Sequence, residues 1–124
     1  ITLAESLRCH FKIFGLMVTM SYIIMLSTCS DIAEAKKIAK AIIKKRLAAC
    51  INIIPVHSIY RWKESIEESG EQLLMIKTSS RLFKKIGECI KNLHGYELPE
   101  IVSTEIKQGS RPYLKWLEDS VKKG

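Results

Sequence analysis

The chain is predicted to fold as an α+β sandwich, a four-stranded antiparallel sheet with two helices on one face in the order β-α-β-β-α-β, followed by a last helix. Three observations predict it. Tyr22–Leu26 and Leu73–Ile76 are unbroken apolar runs, the pattern of strands covered on both faces and therefore central in a sheet. Apolar residues recur at helical spacing in two segments, Ala35, Ile38, Ala39, Ile42 and Ile43 in one, and Leu82, Phe83, Ile86, Cys89, Ile90 and Leu93 in the other. Between these segments Cys50–Trp62 and Glu71–Thr78, joined by a polar connection containing Gly70, read as a long hairpin. Two right-handed crossovers then place the first and third strands in the middle, and these are the two that hydrophobicity marks as central. The result is a ferredoxin-like order.

Taken along the chain, residues 1–20 read as an N-terminal extension, disordered or a leader, with Arg8, His10 and Lys12 set among Phe11, Phe14 and Leu16. The domain proper spans residues 21–124. Ser27–Ser30 ends the first strand, Asp31 with Glu34 three residues later gives a helix-capping signal, and the helix runs to about Leu47. Its outer face carries Lys36, Lys37, Lys40, Lys44 and Lys45 and reads as a solvated surface. Cys50–Trp62 would extend roughly 40 Å, far beyond an ordinary strand and beyond its shorter partner. The excess must either turn away from the sheet or present unpaired backbone groups, an edge that a second chain could cover. Along this strand the apolar parity switches from Ile51 and Ile53 to Val56, Tyr60 and Trp62, which predicts a bulge near Pro55 on an edge strand. Ser79 or Ser80 caps the second helix, which ends before Gly95. Ile101–Lys107, with Pro99 ahead of it and Glu105 and Lys107 within it, suits the other edge. Ser110 caps the last helix, with Pro112 in its first turn.

Composition sets the class. The chain has the apolar and charged content of a globular domain, and no apolar run approaches the roughly 20 residues needed to span a bilayer, so no membrane partner is expected. A net charge of +7 permits an anionic partner. Nucleic acid is not expected, because Leu73–Ile76 offers no stacking aromatic and Tyr22 alone makes no platform. Cys9, Cys29, Cys50 and Cys89 are widely spaced with no C-x-x-C pair, which favours free thiols in a reducing, cytoplasmic compartment, or an organellar one if residues 1–20 are a leader.

No nucleophile-base spacing, zincin motif or glycine-rich phosphate loop is present, so no enzyme is expected. A metal site would be assembled by folding from Cys29, Cys50, Cys89 or His94, a thiolate and imidazole set that suits copper or zinc. Packing competes with ligation at each cysteine. Cys89 lies on a helix stripe, Cys50 follows two alanines into a strand, and Cys29 stands at a strand end. His94 is the stronger candidate, at a helix end beside Tyr96, Glu97 and Glu100. Tyr60, Trp62, Lys77 and Trp116 form a second set, lining either a ligand cleft or an interface; large aromatics on a long edge strand favour the interface.

The segments LAACINIIP at Leu47–Pro55, SIYRW at Ser58–Trp62, IEES and LLMIKT between Ile66 and Thr78, HGYELPEI at His94–Ile101 and GSRPYLKWL at Gly109–Leu117 together resemble the CutA divalent-ion tolerance proteins. The resemblance covers Tyr22 to Val121. It implies a homotrimer resembling the PII signalling proteins, with long hairpins extending neighbouring sheets. It also implies a link to copper and other divalent cations, no established reaction, and metal binding at a cysteine ending strand one and a histidine before a tyrosine corner. Here Ser27 holds the strand-end position with Cys29 two residues on, Leu93 and His94 stand where some members pair histidines, and His94-Gly95-Tyr96 replaces His-Pro-Tyr. Trp62-Lys63-Glu64 replaces W-x-G. Two further functions fit the same architecture: a PII-like sensor of a small anionic metabolite, using Lys77 and nearby aromatics, and a structural assembly platform.

Overall fold

The computed structural model describes the backbone of residues 10–13 and 16–19 and the whole of residues 21–123. The extension expected over residues 1–20 therefore falls largely outside the described residues. Two short strands pair there, β1 (His10–Ile13) and β2 (Leu16–Thr19). The domain follows as β3 (Tyr22–Cys29), α1 (Ile32–Lys44), β4 (Cys50–Trp62), β5 (Ser65–Ser79), a 3-10 turn at Ser80–Leu82, α2 (Phe83–Leu93), β6 (Val102–Glu105) and α3 (Arg111–Ser120).

The main sheet has the order β4-β5-β3-β6, all antiparallel. The strands holding the two unbroken apolar runs are the central pair, as expected. Ile23, Met25 and Cys29 of β3 and Leu74 and Ile76 of β5 join Ile38 and Ile42 of α1 and Ile86 and Ile90 of α2 in one buried core, so both helices cover the same face. Asp31 caps α1 by accepting the Glu34 N–H at 2.8 Å. The helix stops at Lys44, three residues before the expected end. Arg46 there takes a left-handed conformation (φ 59°), letting its own N–H bond Ile43 and the Leu47 N–H bond Ile42. On α3, Ser110 caps as expected, and Leu117 with Val121 beyond it is buried.

The hairpin corrects two sequence expectations. β5, at 15 residues, is longer than β4, at 13, beginning at Ser65 after a two-residue turn at Lys63 and Glu64, so Gly70 lies within a strand opposite His57. The register from Cys50↔Lys77 to Trp62↔Ser65 is unbroken through Pro55↔Gln72, and there is no bulge. A ladder passes a proline whose nitrogen faces outward, which the outermost strand allows. The parity switch is real, but its cause is a change of cover. Ile51 and Ile53 pack under the helices, whereas Val56, Tyr60 and Trp62 continue the opposite face, the one carrying Ile24, Leu26, Ile54, Leu73 and Met75. β3 stops pairing at Cys29↔Gln72, so from Glu71 outward the hairpin continues as a two-stranded ribbon that β3 no longer flanks.

Candidate metal centre

Three elements meet where β3 ends. Cys29 is the last residue of β3 and fully buried on the helix side; Glu34 lies in the first turn of α1; His94 caps the C-terminus of α2. The Cys29 thiol, a Glu34 carboxylate oxygen and a His94 ring nitrogen lie within 4.8 Å of one another. Cys29 and His94, 65 positions apart, are brought together by the packing of α2 on the sheet, where His94 bonds the backbone of β3 one residue before Cys29.

The imidazole and the carboxylate of the cluster are both hydrogen-bonded. His94, its side chain 0% exposed, places Nε2 at 2.6 Å from the Thr28 carbonyl. A carbonyl only accepts, so Nε2 carries the proton and Nδ1 keeps its lone pair. That lone pair accepts the Tyr96 N–H at 3.0 Å and faces Glu34 at 3.9 Å. Glu34 in turn accepts the Gly95 N–H at 2.7 Å with one oxygen and lies 3.3 Å from the Ser30 N–H with the other. A proline at position 95 has no N–H to offer Glu34. The corner closes with Tyr96, whose hydroxyl donates to buried Glu71 at 2.6 Å and whose ring packs on His94 with centroids 4.6 Å apart.

The protons follow from this packing. The Cys29 thiol is pushed up to about 12, first by burial and then by the negative charges of Glu34, Asp31 and Glu71. The Tyr96 hydroxyl is raised well above its ordinary value, by burial first and then by Glu71. Both groups are neutral at physiological pH.

The donor set fits a copper or zinc ion by type, with thiol, imidazole and carboxylate. The Nε2–H to carbonyl bond also fits, since ligating histidines commonly fix their tautomer in this way. Distances fit after a contraction, because donors around a tetrahedral zinc stand roughly 3.3–3.8 Å apart. Against these, the thiol must lose its proton and Nδ1 must lose the Tyr96 N–H. The residues present therefore suit a weakly held cation.

The other sequence candidates scatter. Cys50 sits on the opposite face, near the other end of the sheet, within 3.9 Å of the Asn52 side-chain oxygen, which also accepts Lys77 Nζ at 3.0 Å. Glu97 and Glu100 are exposed and make no side-chain hydrogen bond among the described residues. Tyr60 is exposed opposite Glu67 on the ribbon, and Trp62 lies 5.6 Å from the Lys63 ammonium at its turn. Trp116 stacks on Tyr113 on α3, with ring centroids 5.4 Å apart. The chain does not gather Tyr60, Trp62, Lys77 and Trp116 into a cleft. Sequence reasoning missed Glu34, whose spacing from Asp31 signals only a helix cap, and Glu71, a buried strand carboxylate with no sequence mark.

Ser27, two residues before Cys29 on the same face, has a buried hydroxyl without a hydrogen-bond partner among the described residues. Ser27→Ala is expected to leave stability unchanged or raise it by up to about 1 kcal/mol in urea unfolding, since it removes an unsatisfied buried group. A loss larger than that would reveal a partner for the hydroxyl.

Comparison with known proteins identifies the family of the fold. Residues 23–120 match the family model for the CutA1 divalent ion tolerance protein. A mouse relative, Protein CutA, is 47% identical over 91 residues, 73% of this chain and 51% of its own length, so the chain spans about half of that relative. The divalent-cation tolerance protein CutA of Thermus thermophilus is 45% identical over 98 residues, covering 78% of this chain and 95% of that protein. Among solved structures, CutA1 from Oryza sativa superimposes with a TM-score of 0.81 at 35% identity, covering 84% of this chain and 96% of that chain.

Proposed function

This chain belongs to the CutA1 divalent ion tolerance family, and from that premise we propose that it binds copper or another divalent cation weakly at Cys29, Glu34 and His94, in the service of tolerance to such ions. The proposed role is binding, with no catalytic reaction attached. The observation that carries it is the meeting of a thiol, a carboxylate and an imidazole within 4.8 Å, with the imidazole held in the tautomer that leaves Nδ1 free of a proton. A bound cation would supply a positive charge among Glu34, Asp31 and Glu71, the carboxylates that add to burial in holding the Cys29 proton in place. Calorimetric titration of the reduced protein with copper and with zinc, repeated on His94→Ala and Cys29→Ser, tests it. Heats left unchanged by both substitutions would sink the assignment.

We further propose that the chain works as a homotrimer. The sheet face opposite the helices carries Ile24, Leu26, Ile54, Leu73 and Met75, and the same side of the ribbon adds Val56, Tyr60 and Trp62, none of them part of the core beneath the helices. Ile59 and Ile66 at the ribbon's end are 67% and 70% exposed. An apolar surface of this extent, joined to unpaired strand edges, marks an association surface. Light scattering at micromolar concentration is expected to give the mass of three chains, and a stable single-chain mass would remove the proposal. Cys29, Cys50 and Cys89 are free thiols, which supports a reducing, cytoplasmic setting. No helix among the described residues is long and apolar enough to cross a membrane.

A further inference from the structure

We propose that Tyr96 is a positioning residue that sets the affinity of the Cys29–Glu34–His94 centre, by holding its own N–H on the His94 lone pair that a cation needs. The inference rests on the metal-binding reading above and goes beyond it, because Tyr96 would act without ligating, its hydroxyl being committed to Glu71. Its N–H and a cation compete for one orbital, since the other ring nitrogen is already committed as a donor to the Thr28 carbonyl. His94 must therefore part from Tyr96 before it can ligate.

What keeps Tyr96 in place is remote from the centre. Its hydroxyl donates to Glu71 at 2.6 Å, a short bond to a carboxylate that is itself 7% exposed. Glu71 is held by the hairpin register, opposite Val56, one residue beyond the last β3–β5 pair. A hydrogen bond to a buried carboxylate is among the stronger side-chain contacts, so the tether resists the small rotation of the corner that would free Nδ1. The second connection, Gly95 N–H to Glu34, ties the same corner to a ligand. Loosening the Tyr96–Glu71 bond should therefore tighten cation binding, whereas loss of a merely structural contact would weaken it or leave it unchanged.

Zinc titration of the reduced, full-length chain tests this with three proteins: wild type, Tyr96→Phe and His94→Ala. Tyr96→Phe is preferred over a change at Glu71, because the Glu71 charge also acts on Cys29. Wild type is expected to bind, His94→Ala to lose binding, and Tyr96→Phe to bind roughly tenfold more tightly, the factor expected for release of one hydrogen bond to a carboxylate. A second measurement needs no substitution. Amide exchange at Tyr96 in the wild type is expected to accelerate on adding zinc, as its acceptor is taken, and this decides the matter alone if Tyr96→Phe does not fold. Unchanged or weaker binding by folded Tyr96→Phe while His94→Ala loses it, or a Tyr96 amide that stays protected with zinc bound, would overturn the inference and leave the metal site standing. No zinc binding by any of the three would remove the metal site and this inference together.

Discussion

Zinc binding to the reduced protein is expected to tighten about tenfold for each unit of pH between about 6.5 and about 8.5, roughly a hundredfold in all. The cause is the Cys29 thiol, pushed up to about 12 by burial and then by Glu34, Asp31 and Glu71, so that it stays protonated throughout this range. Each cation bound to sulfur must expel one proton, and a tenfold fall in proton activity favours that exchange tenfold. A centre made of imidazole and carboxylate alone would level off above neutrality. Titrations in buffers of different ionisation enthalpy count the released proton directly. A flat profile above neutral pH would show that Cys29 takes no part, and Cys29→Ser is expected to abolish the slope.

The same thiol acts on the bare fold with the opposite sign. Its folded value lies above its ordinary 9.0, so its contribution to stability is fully present below about pH 9 and is lost as pH rises towards 12. Alkaline conditions thus favour the loaded centre while weakening the unloaded protein.

His94→Ala is expected to lose cation binding and about 3 kcal/mol of stability together. The imidazole is wholly buried, and its removal leaves the Thr28 carbonyl and the Tyr96 N–H unpaired while opening a cavity against the Tyr96 ring. Denaturant unfolding measures the loss. His57 is the internal control: its contact with Glu68 is 2.6 Å long, shorter than most ion pairs, yet both side chains are more than half exposed. His57→Ala is expected to cost less than about 0.5 kcal/mol, because solvent screens such pairs and ordering them costs entropy. Equal losses from the two substitutions would mean that burial is not what gives His94 its weight.

Tyr22–Leu26 and Leu73–Ile76 announced central strands because a strand covered on both faces has no polar side to show, and Asp31 and Ser110 announced helix starts because a cap involves residues only three apart. Such signals are local. The break in apolar parity at Pro55 was equally visible, but its meaning was not. A bulge and a change of covering layer leave the same mark on the sequence, and only the unbroken pairing from Cys50 to Trp62 separates them.

What the sequence by itself determined here is the order of elements, the two central strands and the kinship carried by its motifs, all of which depend on residues within a few positions of each other. Tertiary structure alone decided that Glu34 joins Cys29 and His94, that Cys50 lies away from them, and that Glu71 grips Tyr96. The physical reason is that His94 and its corner reach Thr28 and Glu34, and Tyr96 reaches Glu71, by sheet register and helix packing across 25 to 66 positions of chain, separations over which side-chain pattern carries no record of who will meet whom.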